Sequence, residues 1–129
     1  LVNVEKPALD DATVEQRRRQ FHDHPLALTA AATFVEKAVL LPETIFVVGI
    51  DTAVRIVDSS FYDDVTSMQS TLHTLADHAC SFLVAGRLVR EQFQTLRNVN
   101  MPSEFEALFV ELPEVLFRED VSSTALRRE

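Results

Sequence analysis

The sequence is poor in cysteine and in positive charge, and each shortage excludes a class of protein. Cys80 is the only cysteine, so no disulfide can form within the chain and we expect a cytoplasmic protein. Twelve basic residues stand against 20 acidic ones, which gives a formal net charge of −8. This charge argues against nonspecific binding to nucleic acid or to anionic membranes, because both need a basic field. A small anionic ligand held by a few local cations remains compatible with it.

Long apolar runs and flexible tracts are also missing. No apolar run approaches the ~20 residues that span a bilayer, and no signal peptide is visible. The sequence contains no internal repeat, low-complexity tract or linker. Its 129 residues and 47% apolar fraction match one domain with one core, so we treat residues 1–129 as a single, partial domain. The first residue is Leu1 rather than methionine, and we expect the natural start to lie upstream.

Strand-like and helix-like segments alternate along the chain. The clearest strands are Thr44–Val48, predicted to be buried on both faces, and Ser81–Ala85. Together the segments predict an α/β fold, a three-layer sandwich with a Rossmann-like, mostly parallel sheet. The weaker predicted strands are residues 1–4, 26–29, 92–96 (an outer strand or a hairpin arm) and 115–118 (a short strand or an extended segment). The predicted helices are residues 10–22, 33–41, 52–57, 63–79, 101–109 and a last turn from residue 122.

The only two glycines each follow a predicted buried strand. Gly49 precedes Asp51 by two residues, and Gly86 precedes Arg87 directly. Ligands of open α/β sheets bind outside the carboxyl ends of the strands, so both charged side chains face the expected ligand position. Lys6, after the first predicted strand, would join them there. The alternative for each position is an ordinary turn with a solvated charge.

The C-terminal segment carries three hydroxyl side chains followed by an arginine. At the start of a helix, hydroxyls and free backbone N–H groups suit a phosphate, and an arginine one turn later adds a forked donor. Ordinary helix capping is the alternative for this segment. The residues concerned are Ser122, Ser123, Thr124 and Arg127.

These elements together resemble the nucleotidylyltransferase superfamily, in particular the nicotinate and nicotinamide mononucleotide adenylyltransferases. The Ser-Ser-Thr-x-x-Arg segment at residues 122–127 is similar to that family's triphosphate-binding signature. Residues 46–52 resemble its strand followed by Gly-Ala-Asp, with Ile50 in place of the alanine. Residues 82–87 resemble its next strand, which ends in a nucleotide-contacting arginine. Residues 4–7 and 17–18 loosely resemble the Pro/Lys loop and the arginine-bearing helix after the family's second strand.

The resemblance implies transfer of AMP from ATP, with Mg²⁺, to a phosphorylated acceptor such as nicotinate or nicotinamide mononucleotide. Its nucleoside-triphosphate-binding residues here would be Gly49, Asp51, Thr52, Arg87, Ser122, Ser123, Thr124 and Arg127, and Lys6 would bind the acceptor. Whether the donor is ATP or CTP stays open.

One departure from the family pattern concerns its catalytic histidines. The family carries a His-x-Gly-His motif after its first strand, whereas His22-Asp23-His24 lacks the glycine and comes too late. We therefore expect the first strand of the family fold to be missing, so that the chain is the C-terminal two-thirds of such a domain. In the family order that strand would lie between those at Val2 and Phe46, leaving them about 10 Å apart, two strand spacings. The missing part would come from an upstream segment or a second copy of the chain.

Two other functions compete with a nucleotidylyltransferase. The chain could be a nucleotide-binding or interaction module that has lost catalysis, or an unrelated doubly wound domain with no nucleotide function. A resident metal site is not predicted, because the histidines and Cys80 have no recognised ligand spacing.

Overall fold

The computed structural model describes residues 8–118 of the 129. They form four α-helices and five strands with three short 3₁₀ turns between them. The helices are α1 (Asp11–Arg19), α2 (Phe34–Leu40), α3 (Ile50–Ile56) and α4 (Val65–Asp77). The strands are β1 (Ile45–Gly49), β2 (Ser81–Ala85), β3 (Arg87–Val89), β4 (Gln92–Gln94) and β5 (Phe109–Leu112), and the 3₁₀ turns are Ser59–Phe61, Leu96–Asn98 and Ser103–Leu108.

A three-stranded parallel sheet organises this part of the chain. Its order among the described strands is β1-β2-β5, with β2 in the centre. Ile45 lies opposite Ser81 and Gly49 opposite Ala85, so β1 and β2 start and end together. Strands β3 and β4 form a separate antiparallel hairpin. The chain is therefore a mixed α/β protein with a parallel sheet, as the alternating pattern predicts.

Side-chain caps explain where the helices begin. Asp64 precedes α4, and its carboxylate accepts a hydrogen bond of 2.6 Å from the backbone N–H of Ser67. This hydrogen bond holds the pKa of Asp64 below its ordinary value. Thr33 and Glu36 form a reciprocal capping box at the start of α2. These caps satisfy backbone donors that the first turn of a helix leaves free.

The hydrophobic core lies on one face of the sheet and is centred on Phe82. This side chain is fully buried. Its ring stacks on Phe109 at a centroid distance of 5.1 Å, and Phe34 meets it edge-on at 5.2 Å. Residues from α2, α3 and α4 belong to the same buried cluster, so helices and sheet share one core; they include Ala38, Ala53, Ile56, Leu72 and Leu75.

The opposite face of the sheet is apolar but exposed. Ile45 and Val47 in β1 are 65% and 69% exposed, and Val110 in β5 is 55% exposed. Leu83 lies between Val47 and Val110 in the strand register, so these side chains form one continuous patch. The prediction that the strand at residues 44–48 is buried on both faces is therefore wrong for β1. A second helix layer is not found among residues 8–118, and the three-layer sandwich stays a prediction.

Two predicted strands are wrong for a common reason. Residues 26–29 have no regular structure, and residues 115–118 form a turn and an irregular segment. The last described strand is instead Phe109–Leu112, which directly follows a 3₁₀ turn. Strand formation requires a pairing partner as well as suitable residues, and a partner cannot be read from local sequence. The strand predicted at residues 1–4, with its spacing from Phe46, and the terminal helix lie outside the described residues.

Within the described part of the chain, no helix is both long enough and apolar enough to cross a membrane.

The one-sided core makes a testable prediction about two β-sheet residues. Phe82→Ala should lower the free energy of unfolding by about 3–5 kcal/mol, because it empties the centre of the core. Val47→Ala, in the neighbouring strand on the exposed face, should change it by less than about 1 kcal/mol. Urea unfolding followed by circular dichroism measures both. A loss at Val47 as large as that at Phe82 would mean that a second layer covers this face.

Candidate functional site

The parallel register places the C-terminal ends of β1 and β2 side by side at one edge of the sheet. Gly49 is the last residue of β1 and lies opposite Ala85, the last residue of β2. The next residues on each strand are therefore neighbours at the carboxyl edge of the sheet. Asp51 then lies in the first turn of α3, and Arg87 begins β3.

Asp51 and Arg87 form an ion pair at this edge. Nη2 of Arg87 lies 2.9 Å from Oδ2 of Asp51. The structure therefore brings together the charged residues that follow the two glycines, and their role in binding a ligand stays a prediction. The side chains are 31% exposed for Arg87 and 51% for Asp51. A pair this accessible adds at most about 1 kcal/mol to stability, so its main effect is to orient the guanidinium.

The two glycines have different roles. A Cβ atom on Gly86 would lie 2.6 Å from the carbonyl oxygen of Gln94 and 2.7 Å from the ring of Phe93. Gly86 is required because β4 folds back against it. Gly49, by contrast, faces open space and has a φ of −78°, which any residue can adopt. Only Gly86 is therefore imposed by the packing.

The β3–β4 hairpin holds Arg87 in place. Its tight turn is made by Arg90 and Glu91, which both have positive φ angles, 49° and 66°. Such turns normally contain glycine or asparagine, so the usual signal for a hairpin is missing from the sequence. The sequence predicted only the second arm, at residues 92–96. The structure pairs that arm with Arg87–Val89, directly after Gly86.

A second charged pair joins Glu111 of β5, the strand next to β2, to Arg97 in the 3₁₀ turn Leu96–Asn98. Glu111 in β5 is opposite Val84, and its Oε2 lies 3.8 Å from Nε of Arg97. The other carboxylate oxygen, Oε1, is buried and has no hydrogen-bond partner among the described residues. Nε of Arg87 is likewise buried and has no hydrogen-bond partner among the described residues. From the sequence, Glu111 is one glutamate among many in an acidic stretch and is interpreted as part of an acidic surface, whereas its side chain is only 26% exposed.

The described chain ends beside the hairpin. The guanidinium of Arg118 lies over the ring of Phe93, 4.7 Å from its centroid. Because the Phe93 ring packs against Gly86, residue 118 is close to the end of β2. Thr52 follows Asp51 in the first turn of α3. The remaining predicted site residues lie outside the described residues: Lys6, Ser122, Ser123, Thr124 and Arg127.

An open cleft begins one helical turn along α3 from Asp51. Its volume is about 430 Å³, within the usual range for small-molecule sites. Three valines form its apolar wall, and carboxylate, hydroxyl and amide groups line the rest. The lining residues are Val54, Val57, Asp58, Ser59, Asn98, Val99 and Asn100.

The histidines do not assemble a metal site in the described region. His73 instead pairs with Glu104 at 2.9 Å and packs edge-on against Phe105. Across residues 8–118, no group of three or more histidine, cysteine, aspartate or glutamate side chains could hold a metal ion.

In comparisons with known proteins, no family model, no curated protein and no solved structure matches the chain. The resemblance to nucleotidylyltransferases therefore rests on the residues quoted above.

The difference between the glycines can be measured directly. Gly86→Ala should lower the free energy of unfolding by about 1–3 kcal/mol, because the methyl group collides with the Gln94 carbonyl and the Phe93 ring. Gly49→Ala is the matched control and should change it by less than about 1 kcal/mol. Chemical denaturation of both variants tests this. Equal losses would show that both glycines are needed for backbone conformation.

Proposed function

We propose that this chain is the nucleotide-contacting part of a nucleotidylyltransferase-like domain. In the complete protein it would transfer AMP from ATP to a phosphorylated acceptor such as nicotinate or nicotinamide mononucleotide. The observation that carries the proposal is the meeting of Asp51 and Arg87 at 2.9 Å, at the carboxyl ends of adjacent parallel strands. This edge is where α/β sheets bind nucleotides, and the two residues stand in the segments that resemble the family's nucleotide-contacting elements.

Arg87 has the chemistry for a nucleotide contact. A guanidinium has five N–H donors, and Asp51 engages the nitrogen Nη2. Nε has no partner among the described residues, although the ion pair and the hairpin already orient the side chain. Orienting the donors before the ligand arrives lowers the entropy lost on binding. In a protein of net charge −8, such a local cation is also needed to attract an anion.

The triphosphate would be bound by the hydroxyl-rich C-terminal segment. Arg118 lies on Phe93, which packs against Gly86. Ser122 follows four residues later, and four residues can span at most about 14 Å. The covalent chain thus lets Ser122, Ser123 and Thr124 approach the edge that carries Arg87. As proposed, their hydroxyls and Arg127 hold the phosphates, whereas Lys6 contacts the acceptor.

Mg²⁺ would enter this site with the ATP phosphates. Magnesium usually keeps several waters and is held by one or two carboxylates in addition to substrate phosphates. Asp51 is not assigned to the metal: the resemblance places it near the ribose or base, and its half-exposed side chain, paired with Arg87, is accessible for that contact. The ion would neutralise phosphate charge.

The proposal includes the full three-layer fold and a cytoplasmic location. Parallel sheets are nearly always covered on both faces, and the exposed patch at Ile45, Val47 and Val110 is an apolar surface that a second helix layer would bury. A lone, buried cysteine such as Cys80 is compatible with a reducing compartment.

The exposed patch also supports a second candidate, a non-catalytic interaction module. Apolar patches of this kind often mark protein-protein contacts. In this case the patch would contact a partner or a second copy of the chain, and the protein would not depend on ATP.

ATP titration by calorimetry distinguishes the two candidates. Arg87→Ala and Arg127→Ala should each weaken ATP binding by about 10- to 100-fold, because each removes a charge-assisted hydrogen bond worth roughly 1.5–3 kcal/mol. Arg19→Ala is the matched control, since Arg19 is an exposed arginine of α1 that pairs with Glu15. Its affinity should equal that of the unmodified protein. Equal affinities for all four proteins would overturn the nucleotide site, and absence of ATP binding would favour the interaction module.

A further inference from the structure

Glu111 occupies an unusual position for a carboxylate. In the strand register, Val48 lies opposite Val84, and Val84 lies opposite Glu111. These three residues form one row across the sheet on the side that carries the core, and Val84 is fully buried. An apolar side chain is the natural third member of such a row. The row is also the second from the carboxyl edge, because β5 ends at Leu112.

The ion pair with Arg97 does not explain the carboxylate. Its Oε2 is 3.8 Å from Nε of Arg97, and the Arg97 side chain is 88% exposed. A long, solvated pair of this kind contributes little to stability. Oε1 is buried and has no hydrogen-bond partner among the described residues. A buried carboxylate oxygen without a donor is destabilising, so Glu111 is a poor choice for folding alone.

Groups that are unfavourable for folding are often retained where a ligand binds. Oε1 of Glu111 is an acceptor without a donor, and Nε of Arg87 is a donor without an acceptor. Both side chains belong to the carboxyl-edge region of the same sheet, one on β5 and the other directly after β2. A ligand that bears both donor and acceptor groups would complement them.

We infer that Glu111 binds the nucleoside part of the ligand by accepting a hydrogen bond through Oε1. This inference rests on the proposed nucleotide site and deepens it. An ionised carboxylate is an acceptor only, so its partner must carry an O–H or N–H group. The phosphates of ATP cannot serve, because they are anionic acceptors. The ribose hydroxyls and the base amino group are the donors that a nucleoside offers. Glu111 therefore selects for the nucleoside, while Arg87 attracts phosphate.

Two ligands separate these contributions. ATP carries both the nucleoside and the triphosphate, whereas inorganic tripolyphosphate carries only the phosphates. The readout is the ratio of the two affinities, measured by calorimetry with the full chain. Glu111→Leu should reduce this ratio by about tenfold or more, because the acceptor is lost while phosphate binding is retained. Glu111→Gln, which keeps a neutral acceptor, should reduce the ratio less. Arg97→Ala is the control and should leave the ratio nearly unchanged, because it removes the solvated partner of Oε2 and keeps the acceptor Oε1.

A stability measurement separates binding from folding. The urea midpoint of Glu111→Leu should equal or exceed that of the unmodified protein, because leucine suits the core-facing row. A clearly lower midpoint for both Glu111 variants would show that the carboxylate is structural and would overturn the inference. An unchanged ratio for proteins that bind both ligands would overturn this inference alone. Failure of the unmodified protein to bind either ligand would overturn the proposed nucleotide site, and this inference with it.

Discussion

The parallel pairing of β1 and β2 determines where the charged residues of this protein meet and which face of the sheet carries its core. Because Gly49 ends β1 opposite Ala85, the chain leaves both strands at the same edge of the sheet. After β1 the chain enters helix α3, whose first turn contains Asp51, and after β2 it enters the hairpin that begins at Arg87. Their ion pair at 2.9 Å follows from this register. A slip of one residue between the strands would exchange the two faces of β1 and separate these charges.

The same pairing separates the hydrophobic core on one face of the sheet from the charged residues at its carboxyl edge. Aromatic rings around Phe82 and the apolar side chains of α4 stabilise one face of the sheet. The carboxyl edge contributes little to that core, and its charged groups include two buried atoms without partners among the described residues. Apart from Gly86, the residues of this edge are not dictated by the packing of the core. The identity of the other residues at this edge can therefore be set by ligand binding, which is consistent with the proposed site.

Local sequence was enough to predict the central features of the fold. Continuous β-branched and aromatic residues followed by glycine located β1 and β2, and the rule that parallel strands end at one edge brought Asp51 and Arg87 together. The exposed face at Ile45 and Val47 could not be predicted, because burial depends on what covers a strand rather than on its own residues. Strand β5 was missed because Phe109 also fits the helical spacing of Phe105 and Leu108. Glu111 was assigned to an acidic surface, because its register with Val84 is a tertiary property that local sequence does not show.

The nucleotide site proposed at the carboxyl edge of β1 and β2 can be tested by following the backbone amides of that edge. The measurement is a titration of the ¹⁵N-labelled chain with ATP and Mg²⁺, followed by two-dimensional NMR. If a nucleotide binds there, the largest shifts should occur at residues 50–52, at Gly86 and Arg87, and at residues 122–127. The amides of α1 and of the first turn of α2, which lie in other parts of the chain, should stay unchanged. Shifts that avoid the two strand ends, or no shifts at saturating ATP, would show that the nucleotide does not bind at this edge.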